Sequence, residues 1–361
     1  MRVLIAPDKF AGTLTAVQAS DAIAAGWARQ APGDELDLAP MSDGGPGFVD
    51  VLAAALGGEL QAVTVPGPLG DPVPAALLLV GDTAFVESAQ ACGLHLTRRE
   101  RAEEATTRGV GELLRAAVEA GARRIVVGLG GSGTTDGGAG LLGALGATAD
   151  VPLDRGPAGL AGVTGVDVAP ARELLADVEL VAASDVDSPL TGLFGAAKTF
   201  GPQKGISEER LPVVDGVLEG WAAAVDRRAS LEPGAGAAGG LGFGLLVLGA
   251  VRQPGIDLVT GAVGLAERAA RADLVVTGEG AFDFSSRSGK VPYGVAQVAA
   301  AALRPCIALA GDVLVGAREM RALGVESAYS LVDVVGRERA FADAAGSLAE
   351  VAARAARTWS R

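Results

Sequence analysis

A chain of 361 residues exceeds the roughly 250–300 residues over which one hydrophobic core keeps growing, so two lobes are expected. With 49% hydrophobic and 20% charged residues it reads as a well-packed globular protein, leaving the ends and residues 151–176 as places for disorder. A net charge of −13 argues against a nucleic-acid partner, and Cys92 and Cys306, which lack any CxxC spacing, read as reduced core thiols.

The chain opens on MRVLIAPDKF, where apolar residues run into Pro7 and Asp8; this predicts a first strand and no signal-peptide core. Thr15 and Gln18 have capping-box spacing, which predicts a helix from Ala16 through Trp27. In DGGPGFVDVLAAALGG, Pro46 suits the first position of a second helix and Gly57 its end. Residues 61–88 carry three strand-like runs with Gly/Pro turns and no helical pattern, the signature of antiparallel hairpins in a second lobe. A second D-G-G-x-G pattern opens a helix at Asp136. Apolar, β-branched runs at 3–6, 35–39, 124–129, 178–183, 274–277, 306–310 and 328–332 alternate with helical patterns, as in a largely parallel α/β sheet. Residues 234–251 are uncharged but glycine-rich and shorter than a span of about 20 apolar residues, so a Gly-rich loop before a buried helix is expected, with no membrane segment and a cytoplasmic location.

Only four of the 30 basic residues are lysines, and Lys9, Lys198, Lys204 and Lys290 each lie in or beside a Gly/Asp-rich loop. A compact ammonium can hold phosphate or carboxylate as a point charge, a physical reason to keep lysine where arginine is the rule. Carboxylates cluster near strand ends: Asp8, Asp43, Asp136, Asp185, Asp187, Glu279 and Asp283. Such groups suit a Mg²⁺–nucleotide site, since Mg²⁺ takes one or two carboxylates plus phosphate oxygens and water. His95 is the sole histidine, so histidine-based triads, zinc sites and relays are disfavoured and a general base should be a carboxylate. G-x-G-x-x-G occurs at Gly128 and at Gly234, but with 53 glycines about one chance match is expected, and no Walker A loop is present. A phosphate cradle would instead use Gly131, Ser132, Thr134, Thr135, Asp136 and Gly137 at a helix N-terminus.

Six ordered blocks resemble the glycerate kinase family typified by bacterial glycerate 2-kinases: IAPDKFAGTLTA, PMSDGGPGFVD, TRGVGELL through GLGGSGTTDGGAG, ASDVDSPLTGLFGAAKTFGPQKG, PGAGAAGGLGFG and TGEGAFDFSSRSGKVPYGVA. The resemblance implies a Rossmann-like or flavodoxin-like parallel-sheet lobe carrying a large inserted mixed α/β lobe, with the active site in the cleft between them. We assign 1–60 and 270–361 to the first lobe and 61–269 to the insert, leaving 120–148 open. It also implies ATP with Mg²⁺, D-glycerate as acceptor and 2-phosphoglycerate as product. The chain departs from the family at Ala11 in place of a lysine, Ala281 in place of an arginine, Ser285 and Ser286 in place of Gln and Thr, Pro46 in place of Glu and Thr135 in place of Asn.

The resulting expectation gives catalysis to Asp185, Asp187, Lys9 and Lys204, substrate binding to Asp8, Asp43, Gly44, Gly45 and Lys290, and Mg²⁺ to Asp187, Glu279 and Asp283. A kinase of another small hydroxy acid, a nicotinamide-dependent oxidoreductase built on the Gly128 loop and a non-catalytic sensor are the alternatives. A homo-oligomer stays open.

Overall fold

The computed structural model describes residues 1–10, 12–283 and 290–360, so Ala11, Ser285 and Ser286 lie outside the described residues. In chain order the strands are β1 (Arg2–Pro7), β2 (Glu35–Leu38), β3 (Glu59–Pro66), β4 (Pro72–Val80), β5 (Thr83–Glu87), β6 (Arg124–Gly128), β7 (Thr148–Ala149), β8 (Val166–Asp167), β9 (Glu179–Ala183), β10 (Val251–Gln253), β11 (Leu274–Phe282), β12 (Cys306–Val313) and β13 (Ser327–Ser330). Contacts divide the chain into two units: Met1–Asp43, Asp50–Leu56 and Gly255–Arg361 form the first, and Gly44–Val49 with Gly57–Pro254 form the second. The helices Gly255–Ala262 and Leu265–Arg271 therefore belong with the first unit, where the sequence reading ended the insert at 269.

The first unit holds an all-parallel sheet ordered β13-β12-β11-β1-β2. Alternate residues Val3, Ile5, Leu274, Val276, Ile307 and Leu309 turn to one face, where helices Ala16–Gln30 and Ala344–Trp359 cover them. Helices Leu265–Arg271 and Val291–Ala301 cover the other face, so the sheet is doubly wound. The capping box forms as the sequence predicts: Gln18 N donates to Thr15 Oγ1 at 3.2 Å and Thr15 N to Gln18 Oε1 at 3.0 Å. A Cβ on Gly26 would overlap the Ala349 main chain, so the crossing of these two helices depends on a residue without one. The run at 328–332 stops as a strand at Ser330, whose side chain accepts from Asp333 N and starts the helix Leu331–Val335.

The second unit holds a mixed sheet ordered β10-β9-β6-β5-β4-β3. β3, β4 and β5 form the antiparallel meander expected for 61–88, while β5, β6, β9 and β10 run parallel. Residues 151–176, set aside for disorder, carry the short helices Gly156–Gly159 and Ala169–Leu174 and the strand β8. The helix after the first D-G-G pattern spans Phe48–Leu56, not from Pro46, because Gly47 turns the chain at φ 93° first. Cys92 and Cys306 are buried and free, and burial pushes both thiols up to about 12. Among the described residues no helix is long and apolar enough to cross a membrane.

Candidate active site

Numbered within the first unit alone, its strands follow the order 2-1-3-4-5, so the connections reverse between β1 and β11. Chains leaving two such strands part in opposite directions, and the gap at their C-terminal ends is where ligands bind in open α/β sheets. A cleft of about 610 Å³ lies there, lined among others by Asp8, Lys9, Asp43, Glu279, Lys290 and Arg337. Sheet register explains the convergence. Pro7 pairs with Gly278, so Asp8 and Glu279 are each the next residue beyond one matched pair.

The ionic groups interlock. Lys9 Nζ lies 3.3 Å from Asp8 Oδ1 and 3.5 Å from Asp43 Oδ1, and Lys9 N donates to Asp8 Oδ1 at 2.7 Å. Burial pushes the Asp8 carboxyl up to about 6, with Lys9 opposing and Asp43 adding to the rise. Burial works against the Lys9 charge, but Asp8 and Asp43 outweigh it and hold its pKa above the usual lysine range. Lys290 Nζ lies 3.6 Å from Asp283 Oδ1 and 3.9 Å from Glu279 Oε2. Two ammonium groups and four carboxylates thus come from three strand ends and one helix start. Ala281 lines the same cleft.

In the second unit the same residue types are used differently. Gly130 packs against Gly45, Gly239 against the Thr134 carbonyl and Gly240 against Gly137, each so closely that a Cβ would overlap main chain. Ser132, Thr134, Thr135, Asp136 and Gly137 are buried, and Gly131 alone of the expected cradle is exposed. Gly137 N donates to the Gly239 carbonyl, and Gly133 N to that of Cys92. Asp136 accepts from Thr107 N, Gly138 N and Gly140 N and from the Thr107 hydroxyl, at 2.7–3.2 Å. Burial pushes its pKa up while these donors pull it down. Lys204 is 2% exposed and donates to Ser132 Oγ at 3.0 Å and the Thr134 carbonyl at 2.6 Å; burial pushes it down to about 8, with Cys92 and Asp136 opposing.

Of the remaining expected residues, Gly44 packs on β6 and accepts from Gly130 N through its carbonyl, Asp185 is half-buried after β9, and Asp187 is exposed and ion-paired with Arg252 at 2.6 Å. Lys198 pairs with Asp215 at 2.7 Å, which fastens one helix to another. Among the described residues no group of three or more His, Cys, Asp or Glu is gathered to hold a metal. Glu279 and Asp283, both within 4 Å of Lys290 Nζ, offer the hard oxygen donors that Mg²⁺ uses alongside phosphate and water.

Three polar groups escaped sequence reasoning. Glu87, 6% exposed at the end of β5, accepts from Gly47 N and Val49 N and so caps the start of the Phe48–Leu56 helix. Asp312 and Arg337 line the cleft, with Arg337 Nη1 4.0 Å from Asp312 Oδ2. Neither stands in a glycine-rich motif; only the position of Asp312 at the end of an apolar run could have marked it.

A sequence profile described as the glycerate kinase family matches residues 3–360. The chain is 40% identical to a glycerate kinase of Bacillus subtilis, covering 96% of this chain and 94% of that one. It is 38% identical to a glycerate 2-kinase of Escherichia coli, covering 93% and 92%. A crystal structure of a protein described as glycerate kinase 2 from Salmonella typhimurium LT2 superposes with a TM-score of 0.80 at 36% identity, covering 99% of this chain and 98% of that one. Matched from end to end by the profile, and at these identities by relatives of the same length, this chain belongs to the glycerate kinase family.

Proposed function

We propose that the chain transfers the γ-phosphoryl group of Mg·ATP to D-glycerate, giving 2-phosphoglycerate and ADP in the cytoplasm. The observation that carries this reading is the cleft at the β1/β11 reversal, where Lys9 and Lys290 stand among carboxylates in a chain of this family. Phosphoryl transfer asks the protein for positioning and charge neutralisation more than for covalent chemistry, and two ammonium groups beside one cleft supply both. Lys9 and Lys290 would neutralise the acceptor carboxylate and the transferring oxygens. Asp8, held at about 6, is ionised at neutral pH yet basic enough to take the proton of the glycerate hydroxyl. Asp43 keeps Lys9 in place beside it.

Glu279 and Asp283 are the carboxylates that would hold Mg²⁺, which when bound shields the charge of the phosphate oxygens. Asp187 could join them only by giving up its contact with Arg252. In this reading Lys204 and the 131–137 loop act from behind, by fixing the glycine-packed main chain. The name of the Escherichia coli relative supports phosphorylation at the 2-position. A coupled ADP-release assay with D-glycerate, followed by phosphorus NMR of the product, tests the reading: turnover giving 2-phosphoglycerate is expected, and a folded protein without turnover would refute it.

One observation favours a second acceptor. Ala281 sits in the cleft wall where the family commonly has arginine, so one positive charge is missing beside the acceptor. A panel of short hydroxy acids compared by kcat/KM separates the two readings. The oxidoreductase reading loses its footing, because Gly128 and Gly130 pack against the main chain of Gly44 and Gly45 and Gly133 against Thr97, which leaves a dinucleotide little room at these glycines.

A further inference from the structure

The cleft is larger and more varied than a three-carbon acid requires. Its volume of about 610 Å³ falls in the range of sites for drug-sized ligands. One end carries the ionic groups. The other is built by Leu314 after β12 and by Leu331, Val332, Ala340 and Phe341 from the helices that follow β13. Leu314 is 63% and Phe341 59% exposed, although both border a cavity, so apolar surface here stands in water. The Arg337 guanidinium lies over the Phe341 ring at 5.4 Å from its centroid, which makes a flat, polarisable wall. At the seam between the two ends stands Asp312, half-buried and opposite Ala281 in the strand register.

We propose that this apolar end receives the adenosine half of the nucleotide. The purine stacks on the wall made by Phe341 and Arg337, the ribose hydroxyls donate to Asp312, and the phosphates run toward Lys290 and Lys9. A planar base is the group that covers an exposed aromatic face, and stacking of this kind is insensitive to which atoms the base presents. The carboxylate of Asp312 is an acceptor for ribose hydroxyls. The ionic end, with two lysines, is the complement of a polyphosphate. The proposal rests on the reading that ATP is the phosphoryl donor.

Calorimetric titration of the full chain with Mg·ATP and, separately, with tripolyphosphate tests it. Phe341→Ala is expected to weaken ATP binding about tenfold and leave tripolyphosphate unchanged, whereas Phe341→Tyr keeps the wild-type affinity. Lys290→Met is expected to weaken both probes. Phe341 is largely exposed, so its removal leaves the core intact, and circular dichroism checks this. If the wild type binds ATP and Phe341→Ala binds it equally well, the proposal is overturned while the kinase reading stands. If the wild type binds ATP through Phe341 but does not phosphorylate glycerate, the kinase reading falls and the adenosine site stands. Failure of the wild type to bind ATP overturns both.

Discussion

At the strand ends of the first unit, Lys9 and Lys290 sit beside an open cleft, each within 4 Å of two carboxylates. In the second unit, Lys204 is sealed behind the 131–137 loop with no carboxylate in contact among the described residues, and Asp136 is bound on both oxygens by groups of its own fold. Lysine, aspartate and glycine are enriched around both places, yet one arrangement leaves charge available to a ligand and the other uses it to fix main chain. Motif density alone does not tell a site from a scaffold. What separates them is a bordering cleft: Lys9 and Lys290 line one, whereas Lys204 and Asp136 are buried against partners of their own unit.

The sharpest way to break the scaffold side of that comparison is Gly239→Ala. The residue has φ 71°, and its added Cβ would overlap the Thr134 carbonyl, so no rotamer relieves the clash. A loss of about 3–5 kcal/mol is expected, read as a lowered urea midpoint, or a failure to accumulate folded protein. Near-normal stability would mean that the three glycine-rich segments are not rigidly meshed.

On the site side, Asp8→Asn is expected to lower kcat about 10³-fold while circular dichroism and melting temperature show a folded protein. The wild-type rate should also carry a signature. Asp8 works as a base only when ionised, so kcat/KM should be level above about pH 6 and fall about tenfold for each pH unit below it, an inflection that Asp8→Asn abolishes. A profile that stays flat down to pH 5 would assign the proton transfer to another group.

Lys204 gives the next effect, and its sign follows from burial. Its folded pKa of about 8 lies below the ordinary 10.5, so between these values the unfolded chain binds the extra proton and the folded one does not. Stability contributed through this group therefore rises with pH across that window, by about 3 kcal/mol in all. Measuring unfolding free energies of wild type and Lys204→Met from pH 7.5 to 10.5 isolates the slope. Parallel curves would show that the amine is not the titrating group.

Sheet and helix order were readable because they rest on local periodicity. Six of the seven strand runs end within three residues of where the structure ends them, except that 274–277 continues to Phe282 as β11. The reason is that Gly278 and Gly280 look like a stop signal, but β12 lies alongside and its ladder extends through Ala281 and Phe282. The fold class and family were carried by six ordered blocks. The site was readable only in part. Lys9 and Lys290 could be flagged as lysines in an arginine-rich chain, and Asp8, Asp43 and Glu279 as carboxylates near strand ends, and they do line one cleft. Ser132 and Asp136 are also polar groups beside a glycine turn and are buried against partners of their own unit, because sequence shows which polar groups stand near a turn and not which of them the returning chain will satisfy; the Thr134 hydroxyl is buried without a hydrogen-bond partner among the described residues. Arg337 had no local signal and Asp312 only its place at the end of an apolar run, since their meeting depends on the spacing of β12 from the helices after β13.

The smallest effect is the one that best sharpens the contrast among the four lysines. Lys198 Nζ sits 2.7 Å from Asp215 Oδ2, and Asp215 Oδ1 also accepts from Gly192 N at 3.1 Å. Lys198→Met leaves Asp215 with one donor in a place where it is mostly shielded from water, a cost of about 1 kcal/mol. Because none of these groups lines the cleft, kcat and both KM values should keep their wild-type size. Lys290→Met should do the reverse, raising KM with little change in melting temperature, since that lysine is a third exposed and its nearer carboxylate, Asp283, is as well. If instead Lys198→Met raises KM for ATP at unchanged stability, the assignment of charge to scaffold and site by the lining of this cleft fails. The binding groups would then have to be sought on the helix Ala196–Lys204.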